Sequence, residues 1–258
     1  MRNSIDTRER GFTLIEMSIV LIIIGLIIGG ILKGQELIES ARQKNFISQI
    51  DSVKAGTNSF YDRFASLPGD YGTAPCAACV AGNDNGELNA PAAVTTAATL
   101  ASFQANQNEN YEYWNHLMGA GFLGGGAAAL AATGGLNFSG GANPSPLPTA
   151  AFPQSGLTIV YGTHQGAAAN ADSRRTNWIR AARYGTTTII TAAEAIIAPT
   201  RALQMDTKYD DGRPDTGQIR TTGLANGVAS SCGGPGAAGG SYLAAESSVQ
   251  CSLLIALD

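Results

Sequence analysis

From Phe12 to Leu32 the chain reads FTLIEMSIVLIIIGLIIGGIL, and Glu16 is the one ionisable group in the run. A helix rising ~1.5 Å per residue makes such a stretch about 30 Å long, the thickness of a bilayer's hydrocarbon core. This segment has to reside in lipid or among other apolar helices, which fixes how the rest of the chain is arranged. A cleaved secretory signal is the natural competitor, because Arg2, Arg8 and Arg10 precede the run. Such a signal ends in a small-x-small site, whereas here the run passes into KGQELIESARQ, so the segment reads as retained. The arginines assign the first eleven residues to the cytoplasm and everything after Lys33 to the opposite side.

Glu16 is then an anomaly, since a carboxylate in hydrocarbon is costly unless it finds a partner or a proton. Near the helix start it could reach the headgroups. The sharper reading comes from its surroundings. Gly11-Phe12-Thr13-Leu14-Ile15-Glu16, with a basic leader before it and an unbroken apolar run after it, closely resembles the class III signal of type IV prepilins and type II secretion pseudopilins. The resemblance implies cleavage between Gly11 and Phe12 by prepilin peptidase and N-methylation of Phe12. It also implies that Glu16 pairs with the N-terminal amine of a neighbouring subunit during assembly.

The implied layout is a leader at 1–11, a transmembrane and assembly helix at 12–33, an amphipathic stem helix at 34–67 and a head at 68–258. The implied fold class is α+β, with a long N-terminal stem helix packed on an antiparallel-sheet head. By the same resemblance the partners are prepilin peptidase, other pilin subunits, an inner-membrane platform and an assembly ATPase. The precursor belongs in the bacterial inner membrane and the product in a periplasmic or cell-surface filament. Many major pilins place a Pro in the stem where this chain has Lys33 followed by Gly34, which points to a minor or specialised pilin. A type II secretion pseudopilin is the alternative, and a membrane-anchored adhesin or DNA-uptake module is a further one.

The residues support the stem independently. Leu37, Ala41, Phe46, Ile47, Ile50, Val53, Phe60, Tyr61 and Phe64 recur at spacings near three and four, with charged residues mostly between them. Leu67-Pro68-Gly69-Asp70 should stop the helix. Gly25-x-x-x-Gly29 and Gly30-x-x-x-Gly34 offer faces for close helix approach. In the head, Glu109–Phe122 reads as a short helix, and a second should start at an N-cap Thr200 and run through Met205. Leu157–Tyr161, Thr187–Thr191 and Val249–Ile255 read as strands from their β-branched content, and Gly- and Pro-rich linkers occupy 124–156.

Cys76, Cys79, Cys232 and Cys251 all follow the apolar run, as in an exported, disulfide-bearing domain. They allow three pairings. Pairing 76 with 79 and 232 with 251 is favoured, because Cys232 and Cys251 bracket a Gly-rich segment resembling the disulfide-bounded loop of many pilins. The single CxxC is a poor start for a zinc ribbon, and no thioredoxin-like βαβ pattern surrounds it. Asp206, Asp210, Asp211 and Asp215 flank a Gly turn and are a candidate calcium loop, as is Asn83-Asp84-Asn85-Gly86-Glu87. Ordinary Asx-type turns are the competing reading. No cofactor is otherwise required.

A formal charge of −4 and the absence of a basic stripe argue against nucleic acid as a partner. His116 and His164 are the only histidines, and HExxH, GxSxG and Walker A patterns are absent, so the chain reads as structural and not enzymatic.

Overall fold

The computed structural model describes residues 12–88, 108–124, 148–164, 174–183, 195–222, 232–234, 241–245 and 251–257. The chain forms two compact units, Met1–Lys44 and Asn45–Asp258. Helix α1, Leu14–Phe64, contributes to both. From Leu14 to Leu32 it is apolar around its circumference and each large apolar side chain is exposed, as is Leu37; from Lys33 onward charged residues such as Glu36, Glu39 and Arg42 enter the helix surface.

The second unit is the α+β head. Within it the last part of α1 buries one stripe, Phe46, Ile50, Val53, Thr57 and Phe60, at alternating steps of four and three that keep them on one face. Tyr61, one step off that stripe, is exposed. Helix α2 spans Asn108–Gly119, and α3 spans Pro199–Tyr209. Four strands, β1 (Ser155–His164), β2 (Arg174–Arg183), β3 (Ile219–Thr222) and β6 (Ser252–Ala256), form an antiparallel sheet in the order β1-β2-β6-β3. The two-residue strands β4 (Gly233–Gly234) and β5 (Ser241–Tyr242) pair with each other.

The register explains the core. Ile159 faces Ile179, Ile179 faces Ile255 and Ile255 faces Ile219, so one isoleucine from each strand makes a row across the sheet. Those four belong to the same core cluster as Phe46, Ile50, Val53 and Phe60 of α1 and Tyr113, Trp114 and Leu117 of α2. The strands alternate, so the next residues point to the other face: Val160, Trp178, Leu254 and Ala256 pack there. Arg180 and Arg220 are buried on that face too, and the Arg220 guanidinium lies 5.3 Å from the Trp178 ring centre.

The stem ends as its sequence requires. Ala65 leaves the helix at φ 54° while still donating to Tyr61 O, and Gly69 turns the chain at φ 84°. A Cβ on Gly69 would lie 2.3 Å from Glu109 O and 2.8 Å from Tyr113 N, so only glycine lets this turn rest against α2. Across the same junction the Thr57 and Tyr113 hydroxyls meet at 2.5 Å, and burial pushes the Tyr113 phenol well above its ordinary range.

Several boundaries differ from the sequence reading. Helix α3 begins at Pro199 with Ala198 as its N-cap, and no side chain caps it. Thr200 is therefore inside the first turn, and Pro199 opens the helix, where its fixed φ suits the helical backbone and its missing N–H would have had no partner within the helix. The expected 124–156 linker contributes to the fold at its end: Phe152 is buried, 5.2 Å from the Phe46 ring, and Ser155–Gly156 open β1. The expected strand at Thr187–Thr191 lies outside the described residues, as do 249 and 250 of the expected Val249–Ile255 strand.

Candidate functional site

Gly11 lies outside the described residues, and Phe12 is exposed next to it. Glu16 does not stand bare. Its Oε2 accepts the Thr13 N–H at 2.8 Å and the Thr13 hydroxyl at 2.8 Å, while Thr13 Oγ1 accepts the Glu16 N–H at 3.3 Å. This is the reciprocal capping box expected where Thr precedes Glu by three residues at a helix start. The carboxylate thus also sits where the helix macrodipole favours negative charge. Beyond it the helix surface is continuously apolar to Leu32, and an added Cβ at Gly25, Gly29, Gly30 or Gly34 would meet nothing within 4 Å. A surface of this extent needs lipid or other helices.

In the head, Cys76 is bonded to Cys79 and Cys232 to Cys251. The second bridge is fully buried, and it ties the β4 end to the residue that precedes β6. Cys251 also bridges to Ile197 ahead of α3, donating to Ile197 O at 2.9 Å. The first bridge lies in the loop between α1 and α2, where Cys79 is buried and Cys76 half-buried.

Beside that bridge stand two residues of α2 that the sequence reading did not connect with it, Glu112 and His116. One carboxylate oxygen, one imidazole nitrogen and the Cys79 sulfur lie within 4.8 Å of one another. Glu112 accepts the Val80 N–H at 2.9 Å and the Asn115 side-chain N–H at 3.2 Å, and its Oε2 is 3.8 Å from His116 Nε2. His116 Nδ1 accepts the Gly69 N–H at 2.9 Å and Nε2 donates to Val80 O at 2.8 Å, which defines a neutral imidazole. Burial pushes the Glu112 carboxyl above the ordinary carboxylate range and His116 below the ordinary imidazole value. With its sulfur committed to Cys76, Cys79 offers no thiolate to a metal. His116 is structural in its own right, and its ring stacks on Phe60. His164 is the last residue of β1.

The acidic turn after α3 brings one oxygen each of Asp206, Asp210 and Asp211 within 4.8 Å; Asp215, although buried, is not among them. The turn already uses these carboxylates internally. Asp206 accepts Gly212 N–H at 3.1 Å and the Tyr242 hydroxyl at 2.6 Å. Asp210 accepts the N–H groups of Gln218 and Ile219, and Asp211 accepts Arg213 N–H and the Thr216 hydroxyl. A calcium ion here would draw on one oxygen from each of Asp206, Asp210 and Asp211, in competition with those donors. Burial pushes the Asp206 carboxyl up to about 7, and its acidic neighbours reinforce the shift.

The second acidic loop is organised around Asp70. Asp70 accepts Asn85 N–H at 3.0 Å and Gly86 N–H at 2.7 Å, while Asn83 and Asn85 close Asx turns onto Asn85 and Glu87. Asp84 and Glu87 belong to no cluster of three or more His, Cys, Asp or Glu ligand atoms among the described residues.

An apolar N-terminal helix long enough to span a bilayer, followed by a disulfide-bonded α+β head, defines a class of membrane-anchored precursors. Residues 6–32 match the family model described as the prokaryotic N-terminal methylation motif. The chain thus carries the class III prepilin signal of type IV pilins and pseudopilins, which implies processing by prepilin peptidase and assembly with other pilins. Searches of curated proteins and of solved structures gave no match.

Proposed function

We propose that this chain is a minor or specialised pilin, cut between Gly11 and Phe12, N-methylated on Phe12 and polymerised through α1 into a filament that displays the head. The observation that carries this reading is the join of the methylation motif to a helix whose whole apolar circumference, Leu14 to Leu32, is exposed in the single chain. Neighbouring copies supply the burial that one chain lacks. The unbroken run of α1 through Lys33 and Gly34 favours a specialised subunit over a major one. An inner-membrane platform and an assembly ATPase complete the machinery, and the final location is the periplasm or the cell surface.

Mass spectrometry of filaments sheared from the native cell tests this reading. An N-methylated Phe12 terminus at low abundance relative to other pilins is the expected result. Its dominance in sheared material would make the chain a major pilin, and its confinement to membranes would favour a type II secretion pseudopilin. An uncut leader would overturn the assignment altogether.

A further inference from the structure

The Cys76–Cys79 pair is built differently from the other bridge. Cys232 and Cys251 are both sealed in the core, whereas in the CxxC Cys76 is half-buried and Cys79, at 9% exposure, is the less accessible of the two. An incoming thiolate therefore reaches the Cys76 sulfur first, and Cys79 is the sulfur that leaves.

The surroundings of Cys79 disfavour a thiolate. Its sulfur lies 3.6 Å from the Asn115 carbonyl oxygen, and both sulfurs are pressed against Gly119 at the C-terminus of α2, the negative end of the helix dipole. A Cβ at position 119 would fall 2.6 Å from Cys76 Sγ and 3.1 Å from Cys79 Sγ, so glycine is what admits the bridge to this place. Redox CxxC pairs with low thiol pKa have the opposite polarity, a positive field that stabilises the leaving thiolate. Here a proton has to arrive instead. Glu112 is the group placed to deliver it, buried and within 4.8 Å of the sulfur, with His116 as its titratable neighbour from the same helix.

We propose that Cys76–Cys79 is an exchange-competent disulfide, opened at Cys76 by an external dithiol, with Glu112 as the proton donor to the Cys79 sulfur. The thiolate of the dithiol bonds to Cys76 Sγ, the Cys76–Cys79 bond breaks, and Cys79 leaves with the electron pair while taking the Glu112 proton. The second thiol of the reagent then attacks its own sulfur in the mixed disulfide and expels Cys76, which is protonated from water. The protein gains two electrons and two protons as a dithiol, and the partner leaves as a disulfide. The Asn115 carbonyl then accepts the new Cys79 S–H, which the oxidised sulfur could not donate. The raised Glu112 carboxyl keeps its proton available further toward neutral pH than an ordinary glutamate.

The full-length processed protein in detergent, treated with dithiothreitol across pH 5 to 9 and quenched by alkylation for peptide mass spectrometry, reports each bridge separately. We expect Cys76–Cys79 to open at least about tenfold faster than Cys232–Cys251, since a positioned proton donor typically contributes more than that. Its rate per dithiothreitol thiolate should fall as pH rises and Glu112 ionises. Uncatalysed exchange would leave that normalised rate flat. Glu112→Gln should slow opening by about tenfold and flatten the profile, Glu112→Asp should restore part of it, and a monothiol used in place of dithiothreitol should be trapped as a mixed disulfide on Cys76 of the wild type. The proposal fails if both bridges open together, if the wild-type normalised rate is flat with pH, or if Glu112→Gln, folded by circular dichroism, keeps the wild-type rate.

Discussion

Two stretches of α1 share a backbone conformation and differ in everything else. From Leu14 to Leu32 the helix is apolar all round and exposed; from Phe46 to Phe60 it is apolar along one stripe, and that stripe is buried by strands and helices of its own head. Hydrogen bonding within the helix is equally satisfied in both. The contrast shows that helix formation says little about where a helix belongs, and that the angular width of its apolar surface says a great deal. A stripe asks for one neighbour, whereas a full cylinder asks for a solvent.

The sharpest break of this comparison is Phe60→Ala. It removes a fully buried ring packed among Phe64, Tyr71, His116 and Phe122, and should cost about 3–5 kcal/mol in a denaturant melt of the head. Next in size is Gly56→Leu. A Cβ at that position already touches Phe122 O at 3.5 Å and Leu123 at 3.6 Å, so a larger side chain should overpack by about 1–3 kcal/mol.

A smaller effect depends on pH. Folding raises the Asp206 carboxyl to about 7, so its stabilising contribution is complete below the ordinary aspartate value and is lost as pH rises through 7. His116 is shifted down, so its contribution is present above the ordinary imidazole value and is lost as pH falls. The two oppose each other between pH 5 and 8. In thermal melts with EDTA present, Asp206→Asn should therefore leave a head whose midpoint rises with pH more steeply than the wild type. The smallest effect belongs to the other end of α1. Leu21→Ala and Gly25→Leu should leave the head's melt in detergent unchanged while reducing filament yield, and a shifted melt would show that this stretch is not independent of the head.

What the sequence disclosed follows the same division. The signal, the apolar run and the buried stripe were legible because each depends on local pattern, with residues three or four apart or adjacent. The sheet was half legible. Strand β2, RRTNWIRAAR, escaped notice because both of its faces are covered: Trp178 and Arg180 lie on one and Ile179 and Ala181 on the other, and its charged residues read as solvent-facing. Strands β4 and β5 are two residues each, with Gly233 and Gly234 giving no β-branched signal. The α3 start was misplaced by one turn chemistry for another, Pro199 standing in for a side-chain cap. Glu112 and His116 could not be linked to Cys79 from sequence, since only the approach of α2 to the loop brings them together. The ExxxH spacing on a helix was the one available hint.

The capping box at the start of α1 divides the Glu16 carboxylate. Both Thr13 donors reach the same oxygen, Oε2, at 2.8 Å, so neither of them occupies Oε1. The side chain is thus held in one orientation by its own helix, and a cation arriving at the other oxygen would meet an acceptor that no longer has to be ordered.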